Sequence, residues 1–182
     1  AKARAKDFLE NKDDILKKCI DVRLFGGTIP LEKDSITFTG PVQFKMGRSL
    51  NRVVVKHIKG TGAFAAGTAA KQKTFREEDV VKYSLIAFHG IINENAAKYT
   101  QLSKEDVELL IEGIWNGTKN LISRSKFGQM PRFLARVIYS EGNYHIGDLD
   151  KNIRLLDREG KVIDEEGTDG REIRDILDVK LD

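Results

Sequence analysis

Cysteine is nearly absent: Cys19 stands alone, so an internal disulfide is impossible and the sequence points to a reducing, cytoplasmic setting. Histidine is scarce as well. His57, His89 and His145 lie far apart, fit no metal-ligand spacing and have no cysteine cluster to join, which argues against a metal site and leaves no cofactor to expect. His89, inside an apolar run, reads as a hydrogen-bonded core histidine rather than a catalyst. No apolar run approaches the ~20 residues of a membrane span and no signal-peptide pattern opens the chain, so no membrane partner is expected. Nothing such as G-x-S-x-G supports a nucleophilic triad.

The most informative shortage is local. Asp and Glu number 28 among 182 residues, yet Ser35 to Arg76 and Gly113 to Ser140 contain neither. The first stretch carries Lys45, Arg48, Arg52, Lys56, Lys59, Lys71, Lys73 and Arg76; the second carries Lys119, Arg124, Lys126, Arg132 and Arg136. A formal net charge of +3 hides this segregation. A polyanion responds to the local field, and cations gathered without carboxylates displace counterions from a phosphate backbone. The bland alternative is a set of solvated faces whose Lys and Arg pair with carboxylates elsewhere, but exposed pairs contribute only ~0–1 kcal/mol and give stability little use for such blocks.

The length predicts one domain over 1–182, large enough to bury a core. The helical pattern is already under way at residue 1 and no initiator Met is present, so the chain is expected to begin part-way through a longer protein. Ala1 to Cys19 reads as one exposed helix or two short ones, and Gly26-Gly27 and Pro30 end whatever follows it. Ile36 to Phe44 and Arg52 to Ile58 read as strands, the first interrupted at Gly40-Pro41. Residues 60–78 form a flexible basic insertion, since three glycines, five alanines and few large apolar groups between Gly60 and Arg76 cannot anchor a core. Val80 to Ile92 predicts a nearly continuous buried strand. Ser103-Lys-Glu-Asp106 predicts a capped helix start, with Val107, Leu110, Ile111, Ile114 and Trp115 at helical spacing. Pro131 to Ser140 and Ile153 to Leu156 read as strands, and Arg171 to Leu181 as a terminal helix. This order predicts an α+β fold, a ferredoxin-like or RNA-recognition-motif antiparallel sheet with helices on one face. The strand that should precede the first helix is missing.

Two loops carry the candidate chemistry. In Thr39-Gly-Pro-Val-Gln-Phe-Lys-Met-Gly-Arg-Ser49, strand alternation puts Gln43 and Lys45 opposite Val42 and Phe44. In Ser123-Arg-Ser-Lys-Phe-Gly-Gln-Met-Pro-Arg132, hydroxyls, an amide and cations share a loop punctuated by Gly and Pro. These are donors that grip phosphate and ribose without reading bases. Gly60-Thr-Gly62-Ala-Phe-Ala-Ala-Gly67 lacks the Gly-Lys-Ser/Thr ending of a phosphate loop and reads as a basic loop instead. Asp148, Asp150 and Asp157 match no Ca²⁺ loop.

Four ordered blocks carry a family resemblance: Cys19-Ile-Asp-Val-Arg-Leu-Phe-Gly26; Thr39 to Phe44 with Gly47-Arg-Ser-Leu50; Phe88-His-Gly-Ile-Ile-Asn-Glu-Asn95; and Ser123 to Arg132. From about Lys18 to Leu156 the chain resembles the backbone subunit of CRISPR type I Cascade complexes, with the type I-B branch looking nearest. The resemblance implies a modified RNA-recognition-motif fold with palm, finger and thumb elaborations. It also implies polymerisation of copies along one guide RNA (crRNA), contacts with other Cascade subunits, and recognition of target DNA through the guide. Carried over by motif, Gln43, Lys45, Arg48, Ser49, Ser123, Arg124, Ser125 and Lys126 lie near the guide. Arg52, Lys71, Lys73, Arg76, Gln129 and Arg132 complete the RNA-binding expectation, and Met130 is either an apolar wedge or a core residue. The family's first strand and its Asn-Pro-Asn-Gly-Asp-like loop have no counterpart in the sequence. No catalytic residue is expected. The alternatives are an endoribonuclease using Asp21, whose plainer role is pairing with Arg23 or capping a helix end, and an RNA-recognition module acting alone.

Overall fold

The computed structural model describes residues 12–30, 35–61, 75–123, 125–140, 142–163 and 179–181. Its Cα positions fall into two compact units, Ala1–Lys45 with His89–Tyr144, and Met46–Phe88 with His145–Asp182.

In the first unit, α1 (Lys12–Lys18) lies within the Ala1 to Cys19 stretch expected to be helical, of which 1–11 lie outside the described residues, and α2 (Ile20–Phe25) is a further short helix beyond that stretch. α2 ends at Gly26, whose φ of 73° is costly for any residue with a Cβ. The chain turns there directly into β1 (Gly26–Pro30), antiparallel to β2 (Ser35–Thr39). The Gly-Gly-Thr-Ile-Pro segment is therefore a strand and not merely a terminator. β2 ends at Gly40-Pro41, where the sequence places the interruption. A Cβ on Gly40 would stand 2.0 Å from the Phe25 carbonyl carbon and 2.4 Å from the Gly26 nitrogen, so two backbones cross here with no room for a side chain.

β3 (Val42–Phe44) then pairs antiparallel with β8 (Gly90–Ile92). α3 (Glu94–Thr100) follows, its N-terminus capped by the Asn93 side chain, which accepts from the Asn95 and Ala96 N–H groups at 2.9 and 3.0 Å. α4 (Lys104–Lys119) opens on the expected capping box, Ser103 and Asp106 each bonding the other's backbone N–H. Leu24, Val42 and Leu110 form the buried centre, flanked by Ile20 and Leu102. Thus α2, β3 and the first half of α4 share one small core.

In the second unit, β4 (Arg48–Ser49) pairs with β7 (Ile86–Ala87), and β5 (Val55–Thr61) pairs over seven positions with β6 (Phe75–Val81). A 3₁₀ turn (Leu149–Asn152) leads to β9 (Leu155–Asp157), which pairs with β10 (Val179–Leu181). Leu50, Leu155 and Ile163 make the core, with Tyr83, Leu85, Ala87 and Ile153 packed against it.

The α+β class therefore holds, with described strands paired as five two-stranded antiparallel ladders. Several sequence expectations are corrected. Val80 to Ile92 is not one buried strand: its parts serve three partners, β5, β4 and β3, and only Tyr83, Leu85 and Ala87 face a core while Ile86 and Phe88 point outward. Pro131 to Ser140 forms no strand, because β-rich composition yields a strand only where an edge is there to pair. The strand expected from Arg52 begins at Val55, and that expected over Ile153 to Leu156 occupies Leu155–Asp157. Val179–Leu181 is a strand where a terminal helix was expected, and 171–178 lie outside the described residues. Of the 60–78 insertion, 62–74 also lie outside them.

Candidate nucleic-acid interface

The first loop begins on β3. Val42 is buried and Gln43 exposed, but the expected alternation fails at Phe44, which is exposed alongside Lys45. The Gln43 amide donates back to the Gly40 carbonyl at 3.0 Å. Lys45 is exposed, and its backbone N–H donates to the His89 carbonyl at 2.8 Å, carrying the β3–β8 pairing one position further. Lys45 thus sits on a fixed backbone with its side chain at the surface.

Arg48 and Ser49, in the second unit, take on internal work. The Arg48 guanidinium, half-buried, donates to the Asp150 carbonyl at 3.3 Å. The Ser49 hydroxyl donates to the Asn51 carbonyl at 2.7 Å and lies 2.7 Å from the Ser84 hydroxyl, which donates to it. Buried Asn51 completes this network, its side-chain oxygen accepting from the Leu85 N–H at 2.9 Å. Arg52 is exposed. Arg76, on β6, is ion-paired with Glu78.

The second loop belongs to the first unit. Ser123 organises it: its hydroxyl and its carbonyl accept from the Lys126 N–H at 3.1 and 3.4 Å, and the carbonyl accepts from Phe127 at 3.1 Å. Gly128, with φ of 79°, closes the turn. Ser125, Lys126, Gln129 and Arg132 are exposed, as is Met130. Arg124, Lys71 and Lys73 lie outside the described residues. Lys45 and Lys126 therefore share a unit, whereas Arg48, Ser49, Arg52 and Arg76 belong to the other.

Several cations of the acid-free stretches meet carboxylates from outside them. Lys59 pairs with Glu77 at 3.2 Å, Arg76 with Glu78, and Arg136 with Glu108 at 2.6 Å. For these three the bland reading is correct. Asp21 is exposed at the start of α2 and accepts from the Val22 N–H at 3.1 Å. It does not pair with Arg23. Among the described residues no cluster of three metal-binding side chains occurs, and no helix is long and apolar enough to cross a membrane.

Local sequence reasoning missed a largely buried ion pair. Arg23 reaches across 83 positions to Asp106, Nε to Oδ2 at 2.8 Å and Nη2 to Oδ1 at 2.7 Å, while Nη1 donates to the Leu16 carbonyl. This two-bond fork holds the Asp106 carboxyl below its usual range, chiefly through hydrogen bonding, with burial opposing. The Arg23 guanidinium is raised in turn, first by its bond to Asp106. A signal was available: Arg23 and Asp106 sit in two motifs already singled out, and a cation and a carboxylate on apolar helix faces need each other.

Exposed cations therefore stand at the end of β3 and on the Ser123–Arg132 loop of an α+β framework. The chain belongs to the Cas7 family: the family model for CRISPR-associated protein Cas7 matches residues 1–182. It is 36% identical over 175 residues to the CRISPR-associated protein Cas7 of Haloferax volcanii, an alignment covering 83% of this chain and 52% of that protein. The chain spans about half the length of the curated relative it matches.

Proposed function

We propose that this chain is a non-catalytic, crRNA-binding part of the backbone of a CRISPR Cascade complex of the type I-B kind. In this reading, an RNA-recognition-motif-like palm grips phosphate and ribose, further copies extend along the same guide, and target DNA is read by base pairing to it. The observation that carries the reading is the pair of exposed lysines in one unit, Lys45 where the β3–β8 pairing is extended and Lys126 in the turn that Ser123 organises, each within an acid-free stretch. Membership of the Cas7 family supports it independently. Gln43, Ser125, Gln129 and Arg132 supply exposed donors on the same two loops.

The test is RNA binding by filter retention across a salt series. Lys45→Glu with Lys126→Glu weakens binding for all RNA sequences alike and flattens the slope of log K against log salt by about 1.4, two single-strand phosphate contacts at ~0.7 each. Unchanged affinity and slope refute the reading. The non-catalytic part is tested separately: bound RNA stays intact in Mg²⁺, whereas cutting that stops with Asp21→Ala would make the chain an endoribonuclease.

A further inference from the structure

The β4–β7 ladder has one covered face and one open face. Tyr83, Leu85 and Ala87 point into the core of Leu50, Leu155 and Ile163. The alternate residues, Ser84, Ile86 and Phe88, stand on the opposite side, where Ile86 is 50% and Phe88 68% exposed. On the facing chain, Gly47 lies under the Phe88 ring: a Cβ there would meet Phe88 Cε1 at 2.5 Å, Phe88 Cζ at 2.8 Å and Ile86 Cγ2 at 2.9 Å. Glycine is what lets the ring rest against backbone with most of its surface in water. Ser49 and Ser84 adjoin this face with their hydroxyls 2.7 Å apart. No carboxylate occurs in the sequence from Ser35 to Arg76 or from Val80 to Asn93, the two segments that build the ladder.

An aromatic ring held against a strand, bare to solvent and adjoining hydroxyls on two segments that carry no carboxylate, suits one occupant: a base of single-stranded nucleic acid, whose flat face stacks on the ring while its phosphates meet no repelling charge from those two segments. We infer that Phe88 is a base-stacking platform, resting on Gly47, and that this chain grips bases as well as backbone. The inference rests on the RNA-binding reading above and adds a stacked contact to it. Stacking is indifferent to base identity and to salt, so it adds affinity without specificity and without steepening the salt dependence.

Binding of the protein to a mixed-sequence single-stranded RNA, and to the same strand with its bases removed, tests this by fluorescence anisotropy. Phe88→Leu, which keeps an apolar group of similar bulk, weakens binding to the intact strand about tenfold with the salt slope unchanged. Phe88→Tyr retains the affinity. On the abasic strand wild type and Phe88→Leu bind alike. If Phe88→Leu binds intact RNA as wild type does while Lys45→Glu with Lys126→Glu weakens it, the platform is refuted and the RNA-binding reading stands. An equal loss on both strands also refutes stacking, because the base is then irrelevant. If Phe88→Leu instead lowers the thermal midpoint and leaves RNA affinity untouched, polypeptide covers the ring and the inference falls. If no variant changes binding, the platform and the RNA-binding reading fall together.

Discussion

Replacing Asp106 with asparagine removes a charge that accepts three hydrogen bonds, two from Arg23 and one from the Ser103 N–H. The side chain is 6% exposed and its partner's 17%, so the pair is largely out of water. Asp106→Asn keeps the shape and one acceptor, which leaves the Ser103 N–H bond in reach. It strands the Arg23 guanidinium, which loses a two-bond fork at 2.7 and 2.8 Å. Breaking a buried pair from one side costs ~3–5 kcal/mol. Arg23 keeps its carbonyl bond to Leu16 and some water, which places the expected loss near the lower figure, about 3 kcal/mol.

Trp115, the sole tryptophan, lies on α4, the helix that Asp106 opens, so its emission against urea follows this unit directly. The expected result is a lower urea midpoint with an unchanged m value. pH adds a second arm. Because the folded carboxyl lies below its unfolded value of ~3.9, its contribution is complete above that value and disappears as pH falls through it toward the lower folded pKa. Wild type therefore loses stability on acidification below about pH 4, and Asp106→Asn lacks that part of the decline. Arg23→Met with Asp106→Leu should be milder than Asp106→Asn alone, since apolar replacement of both partners leaves no buried charge unpaired. A loss under about 1 kcal/mol for Asp106→Asn, or a double variant worse than the single one, would refute the argument.

Two further outcomes follow from geometry already described. Gly40→Ala must push a methyl into the backbone of Phe25 and Gly26, so it should destabilise by at least about 1–3 kcal/mol, read as a lowered thermal midpoint by circular dichroism. Arg136→Ala breaks only a pair with the exposed Glu108; stability should fall by no more than ~1 kcal/mol, and RNA affinity in the filter assay should hold, in contrast to the Lys45 and Lys126 reversals.

Features encoded over a few residues were legible in the sequence. The Ser103–Asp106 box and the break at Gly40-Pro41 are local, and both stand where expected. The Asn93 cap was equally local but lay inside a block read for its resemblance, so α3 went unassigned. What failed was whatever depends on a distant partner. Val80 to Ile92 reads as one apolar strand because composition does not say that β6, β7 and β8 pair with different segments. Pro131 to Ser140 has strand-like residues and no described neighbour to pair with. At the candidate site, the residue types on both loops were legible, while their occupations were not. Ser49 and Arg48 look like free donors in sequence, yet each is engaged by a group far along the chain, Ser84 and Asp150. Arg23 and Asp106 illustrate the same limit from the other side.

The β5–β6 ladder brings the end of the acid-free stretch against Glu77, Glu78 and Asp79. Lys56, Lys59 and Arg76 make three positive charges against those three negative ones when His57 is neutral, and His57 itself lies 2.9 Å from Asp79. Beyond a Debye length, ~8 Å at physiological salt, these two paired strands taken by themselves are electrically quiet; Lys71 and Lys73, in the segment that joins them, lie outside the described residues. The paired strands neither attract nor repel an approaching polyanion, so long-range steering is left to cations outside them. Their charges act only on a partner already close enough to exchange one of the pairs for its own, which makes the two strands a test of contact rather than of approach.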